Sequence, residues 1–273
     1  VQGIVIRPLT NALVVRPGTE TVKVEAPGGL LLSADREALL KAAAQGPGTI
    51  EGLRLFDLSL WRRGERDLFH DNKTALQLAI AREPANTRSV AYLDLARLYF
   101  AHGFGAEAQG LIQLAIEASP DLAEQPEIRA LRGAARALEG GGIAALDDLE
   151  IQALEIQPEA ALWRGVALSR LGRWVQAGQQ FVQSGDTLLG YPDELYAEIA
   201  VIMAEALLVI DETNAAEALL DELARRGITT RINRPALNYL RGDLALRQGD
   251  PEEGRRLWEQ VSNSRSDQLY RVK

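Results

Sequence analysis

The stretch from Ser89 to Leu122 constrains the fold more than any other part of this 273-residue chain. Spacings of three and four residues place Tyr92, Ala96 and Tyr99 on one face of a helix. Two glycines end this helix, and a second amphipathic run follows until a proline stops it. Two such helices at a short turn must touch closely, so we expect small residues at their crossing, Ala96 in the first helix and Ala108 in the second.

One helical hairpin cannot bury its whole apolar surface, so it needs neighbours on both sides. Prolines that end successive units stand at Pro84, Pro120 and Pro158, which are 36 and then 38 residues apart. The order of aromatic, small and apolar residues, closed by a proline within a period of about 34 residues, resembles the tetratricopeptide repeat (TPR) family. The resemblance implies a mostly α fold: an α-solenoid of antiparallel helix pairs.

The pattern predicts about six units over residues 58–273, with the first and last incomplete or degenerate, and at least ten helices with a repeat of 34 to 38 residues. The second, fourth and sixth units match the family pattern best; the others match mainly in period and small residues. Gly140–Gly142 is interpreted as the turn inside the third unit, since no strand precedes it and no phosphate-binding Lys-Ser/Thr follows it. The later units are placed at 163–184, 193–227 and 234–261.

Residues 1–57 differ from the rest and predict a small β-rich segment with one short helix. The strands are expected in β-branched or alternating runs, and the helix at Ala34–Ala44. The spacing over 52–61 fits either a strand or a helix; we expect a further strand over 53–57, followed by a short helix. The alternative is an arm draped over the first helices. The expected strand runs are Gly3–Pro8, Ala12–Pro17, Thr21–Ala26 and Leu30–Leu32.

Bulk composition excludes several classes of function. The net charge of −8 and a pI near 5.0 argue against nucleic acid and against an anionic membrane surface as partners. The chain has no cysteine, which excludes disulfides and cysteine metal sites. No apolar run is long enough for direct membrane insertion. Because the chain begins at Val1 and ends without a cap, we interpret it as a piece of a longer protein.

The chemistry-bearing residues do not form a catalytic set. The two histidines, His70 and His102, fall in different units without metal spacing, and His102 is placed at a helix C-terminus as a cap. Acidic pairs at Asp147–Asp148 and Glu252–Glu253 are expected to begin second helices, where the helix dipole favours them. We therefore expect no enzyme, no catalytic residue, no metal and no cofactor.

The family resemblance implies a protein or peptide partner, bound in a concave groove lined by the first helix of each pair. The expected face has no lysine, so it lacks the clamp of chaperone-tail-binding TPR domains and better suits a helix or an internal segment. Core packing is the alternative for Trp163 and Tyr239. The predicted groove residues are Asp94, Arg97, Arg132, Trp163, Val166, Arg170, Ile202, Glu205, Tyr239 and Asp243.

The sequence thus predicts a non-enzymatic protein-interaction scaffold. The combination of β-rich and helical-repeat modules resembles bacterial envelope assembly proteins, which favours the periplasm or cell envelope over the cytoplasm. One alternative is a self-assembling oligomeric scaffold, and another is the interaction part of a larger enzyme whose active domain is absent here. Leu257, Trp258 and Val261 predict an exposed apolar surface and weak homo-oligomerisation through the C-terminal end.

Overall fold

The computed structural model describes residues 14–17, 22–25, 54–84, 87–228 and 234–262, and the chain divides into two compact units, 1–50 and 51–273. In the first unit, strands β1 (Val14–Pro17) and β2 (Val22–Glu25) pair antiparallel, with Val15 opposite Val24. The other two predicted strands and the helix at Ala34–Ala44 lie outside the described residues. A wider β-rich segment, and its boundary at residue 57, therefore stay predictions.

The described part of the second unit contains twelve α-helices, which confirms the expected minimum of ten. Four 3-10 helices stand between them, at Arg66–Leu68, Pro120–Glu124, Gln152–Leu154 and Gly185–Gly190. The α-helices are α1 (Leu58–Arg62), α2 (Phe69–Arg82), α3 (Arg88–Ala101), α4 (Gly105–Ala118), α5 (Pro126–Leu138), α6 (Gly142–Leu149), α7 (Pro158–Arg170), α8 (Trp174–Ser184), α9 (Asp193–Val209), α10 (Thr213–Arg225), α11 (Arg234–Arg247) and α12 (Pro251–Ser262).

Helices α3 to α12 form five antiparallel TPR-like pairs: α3–α4, α5–α6, α7–α8, α9–α10 and α11–α12. The tight turn inside each pair contains a residue in the left-handed region. Four of these residues are glycines, at 103, 140, 172 and 249, and the fifth is Asp211, with φ 61°. Glycine adopts this conformation without steric cost, and Asp is among the few other residues that tolerate it. The Gly140–Gly142 turn is therefore where the sequence predicts it.

The repeat is less regular than expected, because the first helices begin at residues 88, 126, 158, 193 and 234, at intervals of 32 to 41 residues. The shortest interval contains α6, which has only eight residues, and the longest contains the 17-residue α9. One hydrophobic core includes α1 and runs from α3 through α11, and a smaller cluster joins Leu76 of α2 to Leu95 and Leu98 of α3. Ala96 and Ala108 are both fully buried in it, as expected of residues at a close crossing.

Two local expectations are wrong, and a third holds in part. Residues 54–57 form no strand, because two of their backbone N–H groups donate to a side chain rather than to a neighbouring strand. Asp147–Asp148 do not begin a helix but lie in the last turn of α6, whereas Glu252–Glu253 do lie in the first turn of α12. The expected exposed apolar surface at the C-terminal end is present in part, because Trp258 is 36% exposed with its ring stacked on Tyr239, whereas Val261 is buried.

Candidate functional site

Residues 54–62, here called the inner segment, cross the face that the first helices of the pairs present. The N–H groups of Leu55 and Phe56 both donate to Oε2 of Glu159, at 2.5 and 3.0 Å. Glu159 stands in the first turn of α7 and is only 4% exposed. Helix α7, the first helix of its pair, thus binds the backbone of a segment about a hundred residues earlier in the chain.

An aromatic cluster surrounds Phe56, whose side chain is buried. Its ring centroid lies 5.4 Å from that of Trp61 and 5.4 Å from that of Phe100, at the end of α3. Phe100 in turn lies 5.4 Å from Trp163 of α7. The indole N–H of Trp163 donates to the Tyr191 hydroxyl at 3.0 Å, and that hydroxyl donates to Oε1 of Glu159 at 3.4 Å. Both carboxylate oxygens of Glu159 are therefore engaged.

Ion pairs hold the C-terminal end of the inner segment. Arg62 donates through Nη2 to Oε1 of Glu194, in the first turn of α9, at 3.1 Å. The neighbouring Arg63 lies 3.8 Å from Asp94 of α3. The backbone carbonyl of Arg62 lies 3.3 Å from Nε2 of His102, the C-cap residue of α3. His102 is therefore a cap, as predicted, and also a contact of the inner segment.

The inner segment takes its local shape from its own ends. Asp57 caps α1 by accepting a hydrogen bond from the Leu60 N–H at 3.0 Å, and Arg63 ends it with φ 55°, in the left-handed region. A helix of five residues is far below the length that is stable alone in water. The conformation of the inner segment is therefore stabilised by its contacts with α3, α7 and α9.

Burial perturbs three ionisable groups at this contact. Desolvation raises the pKa of Glu159, against the opposing effect of its two backbone donors. It also holds the pKa of the Tyr191 hydroxyl well above its usual value, helped by the nearby Glu159 carboxylate. Burial lowers the pKa of His102, so the imidazole is favoured in its neutral form. These shifts indicate a closely packed contact rather than an open, hydrated one.

The predicted groove residues separate into two groups, and the first does not face a groove. Trp163 and Val166 are 0% and 1% exposed, so the prediction that they line an open groove is wrong, and for Trp163 the core-packing alternative holds. Arg132 faces α6, where Asp148 binds its guanidinium through two hydrogen bonds, so its placement in the groove is also wrong. In each case the side chain packs against the core or against the second helix of its own pair.

The second group keeps some exposed surface but is dispersed. Asp94 and Arg97 lie beside the inner segment, and the Arg97 guanidinium stacks over the Trp61 ring at 5.6 Å. Arg170 pairs with Glu198 at 2.7 Å, and Asp243 pairs with Arg247 at 3.1 Å. The remaining three are half-buried: Ile202, Glu205 and Tyr239. Two of them, Ile202 and Tyr239, pack against the hydrophobic core.

Sequence reasoning missed the residues that hold the inner segment. Glu159 follows Pro158 at the start of α7, and Glu127 follows Pro126 at the start of α5. Glu159 is buried, whereas Glu127 is exposed. Both positions look like acidic residues placed for the helix dipole. Only the contact with Leu55 and Phe56 distinguishes them, and no local pattern reveals it.

A polar cleft is a further concave feature of the described residues. A cleft of about 610 Å³ beside α7 and α8 is lined mainly by polar side chains, among them four glutamines of α8. Arg164 borders this cleft, but its guanidinium is already bound by Gln180 and by three backbone carbonyls. Within residues 54–84, 87–228 and 234–262, no group of acidic or histidine side chains could hold a metal ion, and no helix is long and apolar enough to cross a membrane.

Comparison with known proteins identifies no family. No protein-family model matches the chain, and no curated protein matches it. Among solved structures, one from a functional characterisation of Pseudomonas aeruginosa pilF is similar over 67% of this chain and 79% of its own, at 16% identity and a TM-score of 0.43. A TPR protein from Parabacteroides merdae covers 86% of this chain and 88% of its own, at 14% identity and a TM-score of 0.39. Similarity at this level supports no conclusion about function.

Proposed function

We propose that this chain is a non-enzymatic protein-interaction scaffold that binds a peptide segment of a partner on the face formed by its first helices. The observation that carries the proposal is the inner segment, which is bound on that face through its backbone, a buried aromatic side chain and an arginine. A face that binds one short segment of the chain in this way has the chemistry to bind another.

The other properties of the chain agree with a protein partner. The net charge of −8 disfavours nucleic acid, whose binding depends on Lys and Arg contacts to phosphates. Three buried charged side chains among the described residues, Asp148, Glu159 and Arg164, are held by hydrogen bonds to arginine, backbone and glutamine groups. None of these hydrogen bonds pairs a nucleophile with a base. A role in assembling an envelope complex, without a cofactor, is part of the same proposal.

Site-specific photocrosslinking tests this function. A photoreactive amino acid is placed at Ile202, which is half-buried on the first helix α9, and in a matched protein at Ile143, which is exposed on the second helix α6. The proposal predicts a discrete crosslinked partner protein from position 202 and none from position 143. No crosslinked product at 202, or the same products from both positions, would contradict it.

A further inference from the structure

We infer that the inner segment is an internal ligand, and that the surface beneath it is a binding site for a partner segment of the same chemistry. That chemistry is a short bent stretch with one buried aromatic side chain, followed by a five-residue helix that ends in arginine. The inference rests on the proposed function and deepens it, because it names the location of the site and the kind of segment that fits it.

The surface beneath the inner segment has the parts of a peptide-binding site. The Glu159 carboxylate accepts two successive backbone N–H groups at the Leu55 bend, which another segment can donate if it takes the same bend and has no proline at these two positions. The Phe56 ring enters a position lined by Phe100 of α3, where an aromatic side chain gains the most from burial. Backbone recognition thus supplies affinity, and the aromatic position supplies selectivity.

Charge complementarity indicates a basic occupant. The surface presents Glu159, Glu194 and Asp94. Arg62 of the inner segment pairs with Glu194, and the adjacent Arg63 pairs with Asp94. Arg97 also faces the stretch, and its guanidinium lies over the Trp61 ring, so it adds a cation–π contact. An acidic segment would meet like charges at Glu194 and Asp94 and is therefore disfavoured.

The fit of the internal ligand is incomplete. Buried Nε atoms of Arg62 and Arg97, and Oε2 of Glu194, have no hydrogen-bond partner among the described residues. A buried polar atom left unpaired costs free energy that a better-matched ligand recovers. A partner segment that places a donor on Oε2 of Glu194 would therefore compete well with the chain's own arginine.

Competition with a tethered ligand sets the expected size of the effect. A segment joined to its site by a short connection acts at an effective concentration of about millimolar. A free peptide can bind only where the inner segment has left the site. Its apparent affinity is therefore its intrinsic affinity multiplied by the fraction of sites that are open. Weakening the internal ligand should then raise the affinity for an added peptide without any change in the site itself.

Peptide binding to the full chain tests the inference. The probe is a fluorescein-labelled peptide with the sequence of residues 54–63, RLFDLSLWRR, followed by fluorescence anisotropy. Phe56→Ala in the protein should tighten peptide binding by at least about tenfold, because the open fraction rises. Leu60→Ala is the matched control on the same segment, since Leu60 is 69% exposed, and it should leave binding as in the wild type.

A second pair of variants tests the site itself. In protein that already carries Phe56→Ala, Glu159→Gln should remove most of the increase in peptide affinity. Glu127→Gln, at the equivalent exposed position of α5, should leave that increase in place. If Phe56→Ala fails to fold, Arg62→Glu replaces it, because Arg62 meets Glu194 at the edge of the core; about threefold tighter binding is then expected.

Folded Phe56→Ala or Arg62→Glu protein that binds the peptide no more tightly than the wild type would overturn the inference. A wild-type dimer that Phe56→Ala converts to a monomer would also overturn it, because a second copy would then be the occupant. The peptide assay needs no cellular partner, so its failure leaves the crosslinking test of the proposed function unaffected, and the reverse also holds.

Discussion

Asp148 and Arg132 form a two-point ion pair between the two helices of one unit. The Asp148 carboxylate accepts hydrogen bonds from Nε of Arg132 at 2.9 Å and from Nη2 at 2.5 Å, and a third from Nη1 of Arg136 at 2.7 Å. Asp148 is 2% exposed, so its charge depends on these arginines. The pair locks α5 to α6, which explains why the short α6 is well anchored.

Asp148→Asn should destabilise the protein by about 3 kcal/mol, because it removes the charge that balances partly buried guanidinium groups. Asp147→Asn is the matched control, since the Asp147 side chain is exposed and only its backbone carbonyl accepts a hydrogen bond from Arg129. Urea unfolding followed by circular dichroism measures both. Equal midpoints for the two variants would show that the ion pair contributes little to stability.

Gly165→Ala should destabilise the protein by about 1–3 kcal/mol through overpacking. An added Cβ at Gly165 would stand 2.5 Å from the Phe181 ring, which closes the contact between α7 and α8. Gly110 provides the contrast, because it lies in α4 with no atom within 4 Å of such a Cβ. Gly110→Ala should stabilise by up to about 1 kcal/mol from helix propensity, so the melting temperatures should move in opposite directions.

Ala96→Leu should cost about 1–3 kcal/mol, because Ala96 is fully buried where α3 packs on α4. The same change at Ala75, which is exposed on α2, adds a side chain toward solvent and should be nearly neutral. Thermal unfolding of both variants measures the difference. An unchanged melting temperature for Ala96→Leu would mean that the crossing has room for the larger residue.

The stability of the protein should fall on acidification through His102. Burial lowers the pKa of His102 below its ordinary 6.5, so the unfolded chain takes up this proton more readily than the folded one. The stability contribution is therefore fully present above pH 6.5 and is lost as the pH falls through the lowered pKa. Between pH 7 and pH 5, the wild type should lose more stability than His102→Gln.

His70→Gln is the control for this pH dependence, because His70 is exposed on α2. It should follow the wild-type pH profile, whereas His102→Gln should give a flatter one. Parallel profiles for all three proteins would place the acid sensitivity elsewhere.

The sequence by itself determined the helical hairpins of this protein. Spacings of three and four residues, small residues at crossings and glycines at turns are local signals, because helix periodicity and left-handed backbone conformations depend on adjacent residues. They placed Ala96, Ala108 and the Gly140–Gly142 turn correctly. They could also assign Glu252–Glu253 to the first turn of a helix.

Only the tertiary structure decided which side chains face each other across the units. Glu159 and Glu127 have the same local setting, but one binds the backbone of Leu55 and Phe56 and the other faces solvent. The sequence predicts Arg132 as a partner-binding residue of the groove, but its guanidinium binds Asp148. The physical reason is that these contacts depend on how successive helix pairs pack. The relative position of two distant side chains is set by the angles and offsets of all the helices between them. No local period in the sequence records it.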